Sequence, residues 1–399
     1  MSATSRTAGT RRPRTRARLF PSMGRWVAIL ALLHAYIGWR IAPDLPSAGA
    51  VVAMLAYLVA SLALMPLAFV SRRVREQPVA DALAWAGLIA AGSFSSLFVL
   101  TVLRDVALLL AHVAALVAPD VMVMEDLRTL TAAAVPLLTI AFTAVGFVNA
   151  RRRARVRRVD IPIADLPPEL HGFSIAQITD LHVGPTIKRE YVEAVVDAVN
   201  ALDADVIAIT GDLVDGGVRE LAEHTAPLSR LTARDGVYFV TGNHEYYSGV
   251  HAWIAELRRL GLHVLMNEHV VVRRDGAAVV MAGVTDYSAH HFDASHQSDP
   301  ERALAGAPTD AAVKVLLAHQ PRSAFAAAGH AFDVQLSGHT HGGQFLPWNF
   351  FVPMQQPFTA GLHRHGRLWV YTSRGTGYWG PPKRLGAPSE ITYVRLVAA

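Results

Sequence analysis

The sequence predicts two parts: an all-α transmembrane bundle of about four helices in residues 1–158, and an α/β layered domain in residues 159–399. Three observations carry that reading. Long apolar stretches are confined to the first part. Short β-branched runs alternate with amphipathic segments in the second. Charge and histidine content both change at the boundary. The 399 residues are 52% hydrophobic, with a mean hydropathy of +0.28. Residues 1–158 hold 19 Lys+Arg against 7 Asp+Glu, whereas residues 159–399 hold 18 against 25. The pI of 9.6 therefore belongs to the first part. An acidic second part disfavours nucleic acid, so no nucleic-acid partner is expected, and no obligate protein partner is evident. Sixteen of the 18 His follow residue 158, and Cys is absent, which excludes thiolate chemistry and disulfides.

Four apolar stretches occupy the first part: Trp26–Ile41, Val51–Val70, Ala82–Leu103 and Leu130–Val148. A membrane-spanning helix takes about 20 such residues, and one cleaved leader would not explain four. Val106–Ala118 is also apolar but short, and Arg104 and Asp105 separate it from the third stretch. It is therefore read as an interfacial or re-entrant piece; a fifth crossing would reverse the side of the second part. Arg residues crowd three places: seven from Arg6 to Arg25, three at Arg72, Arg73 and Arg75, and six from Arg151 to Arg158. The opposite loops carry only Arg40, Arg104 and Arg128. That bias predicts four crossings with both ends on the cytoplasmic side. The run 151–158 is expected to lie against anionic headgroups.

Ile161–Pro168 reads as a linker. After it, strands are expected at Phe173–Thr179, Asp205–Thr210, Gly236–Thr241, Val270–Arg274, Ala278–Ala282, Ala312–Ala318, Phe332–Ser337, Arg367–Thr372 and Glu390–Leu396. Helices are expected at Lys188–Leu202, Val250–Leu260 and Arg322–Ala328, and a hairpin turn at Asp275-Gly276. The alternation implies a layered α/β domain.

Five of these strands run into polar loops: Asp180-Leu-His182, Gly211-Asp212, Gly242-Asn-His-Glu245, His319, and Gly338-His-Thr-His341. In open α/β sheets, functional groups collect at the carboxyl ends of strands. Imidazole, carboxylate and amide oxygen together favour Mn, Zn or Fe. Asp180-x-His182 and His339-x-His341 each place two side chains on one side of an extended segment. A Gly before Asp212, Asn243 and His339 is expected to let the backbone turn tightly. One such block is weak; five, each at a strand end, point to a metal site.

These blocks resemble the calcineurin-like metallophosphoesterase family over roughly residues 172–398. The stretches Ser337–Gln344 and Tyr371–Gly377 look like its bacterial YkuE/YaeI-like branch. The resemblance implies a four-layer αββα sandwich of two mixed sheets and two divalent metal ions. By it, Asp180, His182 and His341 would hold the first metal, and Asn243, His319 and His339 the second. Asp212 would bridge both, and His244 would stand unliganded beside the substrate as the catalytic acid. Asn243 and Arg374 are expected to contact substrate, and Lys383 and Arg384 are further phosphate-binding candidates. Asp215 and Glu245 are read as loop caps or surface charges, the alternative being that either one orients His244 or a liganding His. The expected chemistry is hydrolysis of a phosphoester or pyrophosphate bond by two-metal activation of a bridging hydroxide.

The anchor points to a membrane lipid or a lipid-linked nucleotide as substrate, and the resemblance suggests UDP-diacylglucosamine. The apolar segment Phe345–Pro353 is expected to be either a lid for acyl chains or a core hairpin. The expected setting is a bacterial inner membrane. The alternatives are a tethered phosphodiesterase for small soluble esters or cyclic nucleotides, and a catalytically inert membrane sensor or scaffold. His290, His291 and His296 are read as a surface cluster rather than a third metal site.

Overall fold

The computed structural model describes residues 23–74, 76–117 and 124–399. The Arg-rich arm before Met23, Arg75 and the end of the apolar stretch at Ala118 lie outside the described residues. Among those described, four helices are long and apolar enough to cross a membrane. They are α1 (Met23–Ile41), α2 (Ala48–Leu64), which continues through Pro66 into a short α3 (Leu67–Val70), α4 (Gln77–Val117) and α5 (Met124–Arg151). His34 stacks on Phe94 with ring centroids 4.3 Å apart, and Arg40 pairs with Asp105 at 2.9 Å. Helices α1 and α4 therefore rise side by side in one direction, and α2 and α5 return.

The stretch from Val106 is not a separate re-entrant piece. It continues α4 as far as Val117 without a break. The chain passes through Arg104 because that guanidinium is neutralised inside the bundle. It pairs with Asp44 and donates to Arg40 O at 2.7 Å, Thr131 Oγ1 at 3.1 Å and Arg128 O at 3.1 Å. A charge so compensated need not end an apolar helix. His34 is likewise a packed side chain, with Nδ1 on Leu30 O and Nε2 on Ser61 Oγ.

The basic run after α5 enters a strand with its arginines exposed, and Ile161–Pro168 is not wholly a linker. Residues 155–163 form β1 (Arg155–Ile163), which pairs in parallel with the last strand, β12 (Glu390–Ala398). Its outer residues are solvated arginines and its end is apolar and buried, so composition alone hides the strand. The remaining strands are β2 (Ser174–Ile178), β3 (Val206–Ile209), β4 (Val237–Phe239), β5 (His263–Val264), β6 (Glu268–Arg274), β7 (Ala277–Gly283), β8 (Val313–Leu317), β9 (Val334–Ser337), β10 (Gly361–His365) and β11 (Leu368–Thr372).

They form two six-stranded mixed sheets among the described residues, ordered β1-β12-β2-β3-β4-β5 and β10-β11-β9-β8-β7-β6. Pairing is parallel in the middle of each, with antiparallel β12–β2, β10–β11 and β6–β7. Ile175, Val206, Val279, Val315 and Val334 fill the space between the sheets. Helices α6 (Arg189–Asn200), α7 (Val218–Thr225) and α8 (Val250–Arg259) bury Val192, Val196, Leu221 and Trp253 against the outer face of the first sheet. A smaller cluster with Ala324, Ala327 and Phe332 covers the second. The result is the expected layered sandwich, with the carboxyl ends of β2, β3, β4, β8 and β9 on one edge.

Candidate metal centre

Each of those five strands delivers its loop to one point. Asp180, His182, Asp212, His339 and His341 all have positive φ, between 51° and 70°. This left-handed region costs a non-glycine residue on the order of 1 kcal/mol or more and clusters at functional sites. Here it turns each side chain back across the sheet edge. Of the glycines expected to turn tightly, only Gly211 has a positive φ, at +87°. Gly338 serves another purpose: a Cβ there would stand 2.1 Å from Asp180 Oδ2. It is small so that two loops can touch.

The donor atoms form overlapping groups. Asp180, His182 and His341 converge in one, and Asp212, His319 and His339 in another. His182 Nε2 and His341 Nε2 are 3.0 Å apart, and His341 Nε2 lies 3.5 Å from Asp180 Oδ1. His319 Nε2 lies 3.1 Å from Asp212 Oδ2 and 3.2 Å from His339 Nδ1. Asp212 Oδ2 is also 3.9 Å from both His182 Nε2 and His244 Nε2, so its carboxylate faces both groups. Outer hydrogen bonds set the ring orientations. His319 Nδ1 donates to Thr210 O at 2.8 Å, and His182 Nδ1 to Asp215 Oδ1 at 3.0 Å. Each turns Nε2 inward, the usual arrangement behind a metal-ligating imidazole.

The donor set fits divalent cations. Asn243 Oδ1 is buried among these groups without a hydrogen-bond partner, and a buried carbonyl oxygen ordinarily has one. Burial pushes the Asp180 carboxyl up, and pushes the His339 imidazole down to about 3, with His319 adding to that. Burial, then Arg384, holds His341 well below its ordinary value. Neutral imidazole, the form that binds metal, is thus held at these two, whereas burial opposes charge on His319 and Asp212 raises it well above its ordinary value.

His244 stands at the margin of this cluster, where it forms a third group with His182 and Asp212. Its Nδ1 donates to Asp215 Oδ1 at 2.5 Å, and its backbone N–H to Asp212 Oδ1 at 2.9 Å. Burial opposes its charge, but Asp212 and Asp215 raise it to about 9. Asp215 thus touches both His182 and His244. Burial would raise its carboxyl, and the two imidazoles hold it below the usual range instead. Glu245 acts on the backbone. It accepts from the N–H groups of Gly242, Asp212 and Leu213 at 2.6–3.0 Å, tying two ligand loops together. Burial, then Asp212, raises it to about 7.

The structure turns the expected phosphate-binding cations elsewhere. Arg374 pairs with Glu390 at 3.1 Å. Arg384 is buried and donates to the carbonyls of His341, Arg374 and Ala387. Lys383 is buried between α4 and α5 and donates to Gly92 O at 3.0 Å and to Ser96 Oγ. Gly146 leaves the room for it, since a Cβ there would stand 2.6 Å from Lys383 Cγ. His296 meets Asp293 and His251, not the adjacent His290 and His291.

The donor cluster floors a cavity of about 700 Å³. Phe345–Pro353 is not a core hairpin. Phe345, Trp348, Phe351 and Val352 line one wall, and Trp379 and Pro381 another. Ser95 of α4 also lines it and accepts a hydrogen bond from Trp348 Nε1 at 3.1 Å. Sequence reasoning missed Ser95; the run Gly92-Ser-Phe-Ser-Ser96 in an apolar helix was the available signal.

The family described as "Calcineurin-like phosphoesterase" matches residues 173–343. The Bacillus subtilis protein named "Uncharacterized metallophosphoesterase YkuE" is 30% identical over 241 residues, which is 58% of this chain and 81% of that protein. The chain belongs to the calcineurin-like metallophosphoesterases. Other similar members of the family are named "Transmembrane protein with metallophosphoesterase domain". The one from Bos taurus is 41% identical over 66% of this chain and 62% of its own length, and the one from Danio rerio is 38% identical over the same shares. This metallophosphoesterase thus spans about three fifths of the length of those two relatives. Like them it is membrane-associated, through its apolar helices.

Proposed function

We propose that this metallophosphoesterase hydrolyses a phosphoester or pyrophosphate bond in a membrane lipid or lipid-linked nucleotide, at a centre of two divalent cations such as Mn, Zn or Fe. The observation that carries the reading is the cavity: its floor is the donor cluster and its wall includes Ser95 of a membrane-crossing helix. Asp180, His182 and His341 would hold one cation and Asn243, His319 and His339 the other, with Asp212 serving both. When bound, such a pair offsets charge on the phosphoryl oxygens and lowers the pKa of an attacking water.

The chain's own residues do the rest. Asp215 and Thr210 O orient the ligand imidazoles, Glu245 fixes the loops of Asp212 and Asn243, and the aromatic walls exclude water. His244, held by Asp215, gives a proton to the leaving oxygen. The arginine bias supports a cytoplasmic side for the domain, and a bacterial inner membrane is the setting that goes with this reading.

The test is turnover by the purified full-length protein, with Mn, Zn and Fe each supplied. The substrates are a p-nitrophenyl diester, phospholipids and UDP-diacylglucosamine. Lipid turnover abolished by chelation is expected. Activity on the artificial diester alone would replace the lipid reading with a tethered phosphodiesterase. Full activity after exhaustive chelation would end the metal reading.

A further inference from the structure

Two rings of polar contacts bracket the part of α4 that packs beside α1, and beyond Arg104 the helix stays apolar and largely exposed as far as Val117. At one end Arg151 stacks on Trp85 and donates to Thr186 O of the catalytic domain at 2.8 Å. At the other, Arg104 and Asp105 meet Asp44 and Arg40. Trp85 and Arg104 are separated by about 28 Å along α4, close to the thickness of a bilayer's hydrocarbon core. Ser95 lies about 15 Å from Trp85, within that slab. The catalytic domain therefore reaches into the slab with the segment after Gln344. Its side chains there are apolar and exposed: Trp348 43%, Phe350 71%, Phe351 52% and Met354 80%. A contiguous apolar face of this kind on a membrane-anchored domain is covered by lipid. The mouth of the cavity thus opens among acyl chains.

The charge of the cavity narrows what enters. The described residues that line it include no Lys and no Arg. The nearby cations are engaged: Arg374 on Glu390, Lys383 in the α4–α5 notch, and Arg384 on backbone carbonyls. A diphosphate-linked nucleotide would bring a further negative phosphate beyond the one at the donor cluster, where the lining offers neutral donors such as Gln355 and Gln356 and only His244 as a cation, and buried charge without an opposite charge is unfavourable. A lipid with one phosphodiester places its single anionic group at the donor cluster and its chains along Trp348 and Phe351.

We infer that the cavity takes an acyl-chain phospholipid with a single phosphodiester, entering sideways from the bilayer past Trp348 and Ser95, in preference to a diphosphate-linked lipid. The inference rests on the lipid reading of the proposed function. One water is consumed per bond cleaved; the P–O bond to an alcohol breaks, the alcohol leaves with a proton, and a phosphomonoester remains.

The test reconstitutes the full chain in vesicles of phosphatidylethanolamine and phosphatidylglycerol, with and without UDP-diacylglucosamine. It has two readouts: rates per substrate, and photocross-linking by phosphatidylethanolamine carrying a diazirine on its acyl chain. The expected result is at least 10-fold faster cleavage of the phospholipids, with cross-links to residues 345–356 or to α4 near Ser95. Trp348→Arg, which adds a cation at the mouth, is expected to shift the ratio about 10-fold toward the UDP-lipid. A preference of the wild-type protein for the UDP-lipid overturns the inference while leaving the lipid reading intact. Cross-links confined to other segments overturn the route. Cleavage of bis(p-nitrophenyl) phosphate with neither lipid touched overturns the lipid reading itself.

Discussion

The anchor and the catalytic edge both bury polar groups, and they treat them in opposite ways. In the anchor each buried charge is answered by its neighbours. Arg104 has Asp44, two carbonyls and a hydroxyl, and Asp105 has Arg40 and the Tyr36 hydroxyl. At the catalytic edge the polar groups converge on one another and are left incomplete: His182 Nε2 lies against His341 Nε2, and Asn243 Oδ1 has no partner. A bilayer supplies no compensating water, so the anchor must close its own network. The sheet edge instead converges lone pairs that only cations satisfy together. Self-sufficient polar groups are structural; convergent ones of like kind are functional.

That contrast can be broken by exchanging the two behaviours. The largest effect is expected at the shared carboxylate. Asp212→Asn should lower occupancy of both metals, measured by elemental analysis, and cut turnover by about 1,000-fold or more, equivalent to about 4 kcal/mol. Loss of one metal alone would remove the bridging assignment. His244→Ala should retain both metals yet lose about 100- to 10,000-fold in turnover; a fully active variant would leave the leaving group without its proposed acid.

Arg104→Ala tests the other side. It leaves Asp44 uncompensated, so thermal unfolding in detergent should show a loss of about 3 kcal/mol, with metal content unchanged. Altered metal stoichiometry would mean the two regions are not separable in this way. Lys383→Met, at their junction, should reduce turnover of vesicle-presented lipid about 10-fold with both metals bound, an effect of about 1.4 kcal/mol.

The smallest effect is expected away from both. Burial raises Asp205, but Arg274 at 2.7 Å and Ser174 together hold it below its ordinary value. Such a carboxyl stabilises the fold above its unfolded pKa, and the contribution is lost as pH falls through the folded value. Asp205→Asn should therefore cost about 1 kcal/mol near pH 7, with the gap to wild type closing below about pH 4. A gap that is constant with pH would mean the charge plays no part.

Much of the sandwich was legible because its strands are short, β-branched and bounded by turn residues. Asp275 and Gly276, at φ 48° and 93°, make the hairpin turn that their residue types foretell. β1 was hidden, since solvated arginines look the same on an edge strand as on a membrane flank. The unbroken α4 was hidden because Arg104 looks like an end until Asp44 is beside it.

The residues at the strand ends were determined by the sequence alone: the types of donor, their order, and the apolar stretches that tether them. That Asp212 faces both groups of donors was decided by tertiary structure, because loops more than a hundred residues apart meet only when two sheets pack. So was the fate of Arg374, Lys383 and Arg384. A cation in a Gly/Pro-rich tail is free to serve a substrate until packing places Glu390, a helix notch or a row of carbonyls next to it. The nearest partner of a charge is set by three-dimensional distance, and distance along the chain says little about it.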